Sequence, residues 1–543
     1  MYRDAEVVVS ELQVLTQPLG GSPLARDAVD ERVPADWYRT RPRTADEWRT
    51  YVQSVRDAFG AIDWRGALAP ALAASGAAAE RLARSADGAG IVITTGQQPG
   101  LFGGPIYTWS KALSALALAD ELEAMTGIPV APVFWAATDD TDFAEASVTH
   151  VAVPGGVETL TLPAPTVEGA SMRATPLGDV STLLEELRLG AGSAASTEVL
   201  ELARASYSRE QTVGSAYLRL LRALLEPLGI AVLDAAHPAV RGVSLPIVLR
   251  ALQHGESIDA AVRTRSAELQ DAGYTPQVAH VPGLTVVHET VRGTRRRVPL
   301  TAARALTTSA HGELGPNVLL RPVVERSILP TAAYVAGPGE LAYFAQVSAV
   351  AEAIGAPTPL VVPRWSGLIL EPHIERILQR RALAIDELRD PHAAETRLAR
   401  AQLPAALRSV LEHWRANVDH SMRDLRRAVD DGGGASEPLL SSRVVEGVER
   451  DMMRRLDRLE RRAVASIKRR DHDLLRDIAT ARGALWPLGK PQERMLNLLP
   501  MLARHGMRVL DLMLAQAREH GASLISGAST SAMAIPDPAH DRR

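Results

Sequence analysis

The residues best suited to chemistry are the acids of Thr138-Asp139-Asp140-Thr141-Asp142-Phe143-Ala144-Glu145. Carboxylates so spaced can bind Mg²⁺ for a nucleotide, since that ion takes hard oxygen ligands. They can equally act as a general base on an amine or hold a cationic amino group. Against these stands a solvated turn with an N-cap. Upstream, Gly96-Gln97-Gln98-Pro99-Gly100 and Gly103-Gly104 form a glycine-rich turn that can bring backbone amides close to an anion. Gln97 and Gln98 offer neutral donors and acceptors for a carboxylate or sugar hydroxyl, or brace the loop. Tyr107 reads as a ligand stack or a core tyrosine, and Lys111 as a surface charge or a phosphate contact. Arg321, preceded by Asn317, is a bidentate carboxylate or phosphate clamp or a structural ion pair. A second glycine turn, Gly337-Pro338-Gly339-Glu340, opens another helix, with Glu340 placed to suit its dipole. Trp486, Lys490, Arg494 and Asn497 could receive an adenine, or could be a hinge docking C-terminal helices.

Position depends on the elements. Ile91–Thr95 is a β-branched run ending in the first glycine turn, followed by an apolar helix to about Met125 and a second buried-strand pattern over Gly127–Ala137. Parallel strands need such a crossover, and ligands collect outside their carboxyl ends. The glycine loop and the acidic loop are therefore expected side by side, forming one pocket. The loop is neither G-x-G-x-x-G nor a P-loop. Further core strands are predicted at Gly229–Asp234, Thr331–Ala336 and Thr358–Pro363.

The fold class expected is α/β: a Rossmann-like parallel-sheet core with two inserted subdomains and a C-terminal antiparallel helical (coiled-coil) hairpin. Residues 1–85 read as an N-terminal helical wrap with an alanine-rich helix over Leu68–Leu82, and 86–150 with 213–370 as the core. A first insertion spans 151–212, and a second, small β insertion spans 277–320. The hairpin spans 373–482, turning at Asp430–Pro438. C-terminal helices span 483–526 and a disordered tail 527–543. In the first arm Leu403, Leu407, Leu411, Trp414, Val418, Met422, Leu425 and Val429 recur at helical spacing; Val448, Met452, Leu456, Leu459, Ala463 and Ile467 continue the stripe in the return arm. Arms this long and charged bury little alone, which predicts that a partner subunit or the protein's own core covers one face, with homodimerisation the favoured case.

Composition narrows the classes. A chain of 543 residues, 46% hydrophobic and 23% charged with formal net charge −4, is expected to be a soluble, two- or three-unit globular protein rather than a nucleic-acid binder. Zero cysteines exclude disulfides, thiolate catalysis and cysteine-ligated zinc. The histidines lack metal-ligand spacing, so neither zinc nor haem is expected. The arginines of Arg292–Arg297 read as a solvated face or a site for an acidic substrate. No basic n-region leads an apolar core at the N-terminus, and no window approaches a membrane span, which points to the cytoplasm. Neither G-x-S-x-G nor H-x-G-H occurs, which argues against serine hydrolases and ordinary nucleotidyltransferases.

The pattern T-G-Q-Q-x-G-L-x-x-G-P-x-Y-T-x-x-K over Thr95–Lys111, then Pro132-Val133-Phe134-Trp135 and an acidic box, resembles the bacillithiol-biosynthesis cysteine ligase family, BshC. Gly315–Pro322, Ile328–Tyr343 and Pro491–Asn497 agree with it, in the family's order. The resemblance implies addition of L-cysteine to glucosaminyl-malate, the last step of bacillithiol synthesis. Forming that amide needs an activated acyl group, most simply from ATP with Mg²⁺. It also suggests that the glycine loop and Arg321 bind anionic sugar-malate or phosphate groups, and that the acidic box holds the metal or the cysteine ammonium. The chain departs from the pattern at Thr141, where the family usually has histidine, and at Asp139, where it has glutamate. Threonine cannot transfer protons as imidazole does, so a second expectation is a divergent, non-catalytic ligand-binding or scaffold homologue.

Overall fold

The strand that organises the core is Ile91–Gln97, apolar and β-branched along its first half and buried along nearly its whole length. In the computed structural model, which describes residues 11–60, 62–165, 167–192, 196–307, 313–431 and 440–527, the strands are β1 (Gln13–Thr16), β2 (Ile91–Gln97), β3 (Val130–Ala136), β4 (Val148–Val153), β5 (Gly156–Thr161), β6 (Ala231–Asp234), β7 (Leu284–Val291), β8 (Thr294–Pro299), β9 (Glu313–Pro316), β10 (Thr331–Ala336), β11 (Val361–Pro363) and β12 (Gly367–Leu370). Five form a parallel sheet in the order β11-β10-β2-β3-β6. Such a sheet is covered on both faces, which is why its strands read as continuous apolar runs.

Register fixes the site. Gln97 lies opposite Ala136, and Ala136 opposite Asp234, so the loops leaving β2, β3 and β6 emerge at one edge. The crossover is the helix Ile106–Thr126, buried on nearly all sides from Ile106 to Ala119 because it packs against β2, β3 and the helix Arg508–Ser526. After β10 the chain turns into the helix Pro338–Ala353 at the same edge. A three-stranded antiparallel sheet, β8-β7-β9, occupies the second insertion.

Two expectations for the N-terminal segment are corrected. It is not wholly helical: β1 pairs antiparallel with β12, Gln13 opposite Leu370. The alanine-rich helix is two, Trp64–Leu72 and Gly76–Asp87, parted at Ala73 in the left-handed region (φ 40°).

The chain divides into two units. One comprises Leu12–Val151, Glu158–Leu370 and the segment from Lys490 onward; the other comprises Ala152–Val157 and Glu371–Gly489. In the second, the helices Ala405–Asp431 and Ser442–Arg470 run antiparallel, since Arg415 meets Asp457 and Glu460 while Arg426, further along, meets Glu449. Leu411, Val418, Met422, Leu456 and Val464 are buried. Most of the expected turn, residues 432–439, and the expected tail from residue 528 lie outside the described residues. Among the described residues no helix is long and apolar enough to cross a membrane.

Candidate active site

The glycine loop is a rigid shelf. Gly103 (φ 88°) and Gly104 (φ 75°) take backbone conformations that L side chains rarely adopt, and a Cβ on Gly103 would lie 2.7 Å from the Trp109 ring. The amides of Gly103 and Gly104 donate to Gly100 O and Leu101 O (both 3.1 Å), and Ile106 N–H donates to Leu496 O at 2.9 Å. Tyr207 OH donates to Gly100 O and accepts from Gly103 N–H, each at 3.2 Å. Asn497 Nδ2 donates to Phe102 O (3.0 Å) and Thr149 Oγ1 (3.1 Å). Gly100, Gly103 and Gly104 are thus buried with the amides of the last two bonded internally, so the anion cradle expected of them is corrected to a braced turn. Asn497 is part of the brace rather than a nucleotide ligand. Gly96 is buried where β2 runs close to Trp135, its carbonyl accepting from Lys111.

Beyond the shelf, at the carboxyl edge of β2 and β10, lies a cavity of about 340 Å³. Its walls include Gln97, Gln98, Tyr107, Glu145, Arg321 and Glu340, together with Lys111, Gly337, Gly339 and Arg494. Gln97 Nε2 donates to Gln98 Oε1 (2.8 Å) and Tyr107 OH (3.1 Å). Glu145 Oε1 accepts from Gln97 Nε2 at 3.4 Å and Tyr107 OH at 3.5 Å. The two loops therefore do meet in one pocket, through Glu145. Partial desolvation at the cavity wall, with Asp142 and Asp140 adding like charge, holds the Glu145 carboxyl above its ordinary range.

The remaining acids are otherwise engaged. Asp140 Oδ1 accepts from Asp142 N–H (2.9 Å), and Asp142 Oδ1 caps the helix Phe143–Ala146 through Glu145 N–H (3.0 Å). Asp139 faces Arg295 at 3.7 Å. Among the described residues no group of three or more His, Asp or Glu side chains converges as a metal site. The acidic box therefore does not converge into a cage of three or more carboxylates.

Lys111 is corrected from a surface or phosphate contact to a buried structural cation. It is 2% exposed, pairs with Glu340 at 2.5 Å, and donates to Gly96 O (2.6 Å) and Gln97 Oε1 (3.1 Å). Burial pulls its ammonium below the usual lysine range. Glu340 also accepts from Gly337 N–H (2.8 Å) and Tyr334 OH (2.6 Å), tying the second glycine turn to the first.

Arg321 opens the helix Arg321–Ile328, whose entry Asn317 fixes by accepting from Leu319 and Leu320 N–H (both 3.0 Å). Asn317 is thus a turn cap, not a ligand clamp. The Arg321 guanidinium has no salt bridge among the described residues. Burial works against its charge, but Tyr343, Tyr334, Asp139 and Glu340 outweigh that and hold it above the ordinary arginine range. It lines both the small cavity and a larger one of about 700 Å³, bordered by Asp139, Thr141, Arg173, His288 and Arg295. His288 there is driven down to about 3 by burial and by Arg295 and Arg297, so it is neutral.

Sequence reasoning missed Arg364, which follows β11. It is 2% exposed and binds Glu493 bidentately at 2.6 and 2.8 Å. Its Nε is buried without a partner at the small cavity, and it lies 5.9 Å over the Tyr107 ring. Only its place after a core strand could have flagged it. Gln277, Val318 and Tyr343 also line the cavity unannounced. Arg494 is exposed at the rim and Lys490 is exposed away from it. In the other unit, Trp486 has Arg389 over its ring at 4.5 Å and donates from Nε1 to Ile385 O (3.2 Å), so one face expected for an adenine is already covered.

Comparison with known proteins agrees with this organisation. The family model for "Bacillithiol biosynthesis BshC, N-terminal Rossmann-like domain" matches residues 34–365, and that for "Bacillithiol biosynthesis BshC, C-terminal coiled-coil domain" matches 367–523. Relatives bearing the name "Putative cysteine ligase BshC" include one from Solibacter usitatus, 31% identical over 502 residues covering 86% of this chain and 92% of the relative. Another, from Koribacter versatilis, is 30% identical over 504 residues, 88% of each chain. Matches over both the sheet and the helical hairpin place this chain in the bacillithiol biosynthesis BshC family.

Proposed function

We propose that this protein is a cytoplasmic carbon–nitrogen ligase that adds L-cysteine to glucosaminyl-malate, the last step of bacillithiol synthesis. The observation that carries the reading is the Arg321 guanidinium, which has no salt bridge among the described residues and lines the same small cavity as Glu145 and the glutamines. Malate brings two carboxylates, and a guanidinium outside any salt bridge among the described residues, with Arg494 at the rim, suits them. Gln97 and Gln98 suit sugar hydroxyls. The raised Glu145 carboxyl suits a general base for the attacking glucosamine amine or a partner for the cysteine ammonium. Joining the amine to the cysteine carboxyl expels water, and ATP would supply the acyl activation. The glycine loop offers no phosphate cradle, since the Gly103 and Gly104 amides bond within the turn.

Mass spectrometry of the purified protein with glucosaminyl-malate, cysteine, ATP and Mg²⁺ tests this. A product equal to the two substrates less one water is expected. Glu145→Gln should lower turnover by about 10²-fold or more, the usual loss with a general base. Asp140→Asn should retain turnover, because an asparagine still caps its turn. A folded protein that yields no product would favour the second reading, a non-catalytic homologue, which Thr141 in place of the family histidine supports.

The helical hairpin is proposed to join two copies of the chain. Val410, Trp414, Val444, Val448, Met452 and Leu459 are exposed at helical spacing on its arms, a second apolar stripe besides the one buried between them. Light scattering should give twice the chain mass, and Trp414→Asp with Val448→Asp should give one. A wild-type monomer at micromolar concentration would refute it.

A further inference from the structure

The second glycine turn differs from the first in what its amides do. Gly337 is the N-cap of the helix Pro338–Ala353; its N–H donates to Glu340 Oε2 at 2.8 Å, and Pro338 has none to give. The amides of Gly339 and Glu340 have no hydrogen-bond partner among the described residues. Both residues line the small cavity. Neither glycine is demanded by the backbone: Gly337 sits at φ −82°, ψ 175°, values that any residue adopts, and Gly339 lies within the helix. A Cβ on Gly339 would meet nothing within 4 Å, and one on Gly337 would meet Glu340 Oε2 (3.5 Å), Arg364 Nε (3.7 Å) and Lys111 Cε (3.8 Å). The two glycines thus keep space open at a helix N-terminus, where backbone dipoles favour an anion.

Arg364 marks that space independently. It is 2% exposed, and its Nε is buried without a hydrogen-bond partner. Its terminal nitrogens are committed to Glu493 and the Trp365 carbonyl, so only Nε–H is left, beside Gly337. A buried donor without an acceptor is costly, and a bound oxygen would satisfy it. In the cavity wall the cations Lys111, Arg321, Arg364 and Arg494 outnumber Glu145 and Glu340, even with Glu493 behind Arg364. Two amides and Nε–H are three donors, which suit the three terminal oxygens of a phosphoryl group better than the two of a carboxylate.

We infer that the turn Gly337–Glu340, with Arg364, is a phosphoryl subsite of the small cavity, separate from the carboxylate position at Arg321. Its donors recognise oxygens common to free phosphate and to the terminal phosphate of a nucleotide. The role of such a ligand rests on the ligase reading, whereas its binding rests on the turn alone.

The test is titration calorimetry of the full chain near neutral pH with inorganic phosphate, with ADP and with L-malate. The wild type should bind phosphate. Gly337→Ala, which puts a methyl beside Arg364 Nε, should weaken that binding by about tenfold or more, at a nearly unchanged melting temperature. Wild-type phosphate affinity in a folded Gly337→Ala overturns the inference, as does a wild type that takes up neither phosphate nor ADP at millimolar concentration. Should Gly337→Ala not fold, Gly339→Val decides by the same criterion, because the space around a Cβ there is open. Displacement of phosphate by ADP identifies a nucleotide as the source, and phosphate binding that ADP leaves undisturbed identifies free phosphate; either upholds the subsite. L-Malate binding should survive Gly337→Ala, and its loss together with phosphate would merge the two positions and overturn a separate subsite. A wild type that binds phosphate but not malate would sink the reading of Arg321 and leave the phosphoryl subsite standing.

Discussion

Replacing Arg321 by glutamine is expected to weaken L-malate binding at least hundredfold and to cut kcat/KM for glucosaminyl-malate comparably, with little change in melting temperature. Hydrogen bonds to charged groups contribute about 1.5–3 kcal/mol each, so loss of a bidentate contact reaches about 10²–10⁴ in affinity. Stability should hold because Arg321 has no ion-pair partner to orphan among the described residues. Glutamine also keeps most of the volume and a hydrogen-bonding end. Titration calorimetry and thermal unfolding read the two effects separately. A variant that binds malate as the wild type does would remove Arg321 from the site. One that unfolds would make it architecture.

The largest stability effect is expected at Arg364 and Glu493. The pair is buried, at 2% and 5% exposed, and bidentate, with Ser366 Oγ adding a hydrogen bond to Glu493 at 2.9 Å. Removing one partner strands the other charge away from water, which costs about 3–5 kcal/mol. Arg364→Ala and Glu493→Ala should each lower the urea midpoint sharply, whereas Arg364→Met with Glu493→Met should recover most of the loss. Single variants costing under about 1 kcal/mol would show that the pair is replaceable by its surroundings.

The strand–helix–strand frame could be read from residues because buried parallel strands leave continuous apolar runs, and Ile91–Gln97 and Val130–Ala136 both have them. Local pattern also announced the meeting of the glycine and acidic loops. It could not apportion the acids. Asp140, Asp142 and Glu145 look alike in sequence, and only the turn geometry commits the first two to backbone amides and leaves the third at the cavity. Lys111 shows the other limit. A lysine in a helix reads as exposed until the fold brings Glu340 and the Gly96 carbonyl to it from separate elements. Arg364 with Glu493, and β1 with β12, failed for the same reason: each depends on a partner remote in the chain.

The proposed site places the substrate's anionic end at Arg321, in the cavity joining the two loops. A crystal structure of the protein with glucosaminyl-malate bound tests it most directly. The expected result is a malate carboxylate within hydrogen-bonding distance of the Arg321 guanidinium, with the glucosamine between Gln97 and Glu145. Density for the ligand elsewhere on the chain, with this cavity holding only solvent, would contradict it.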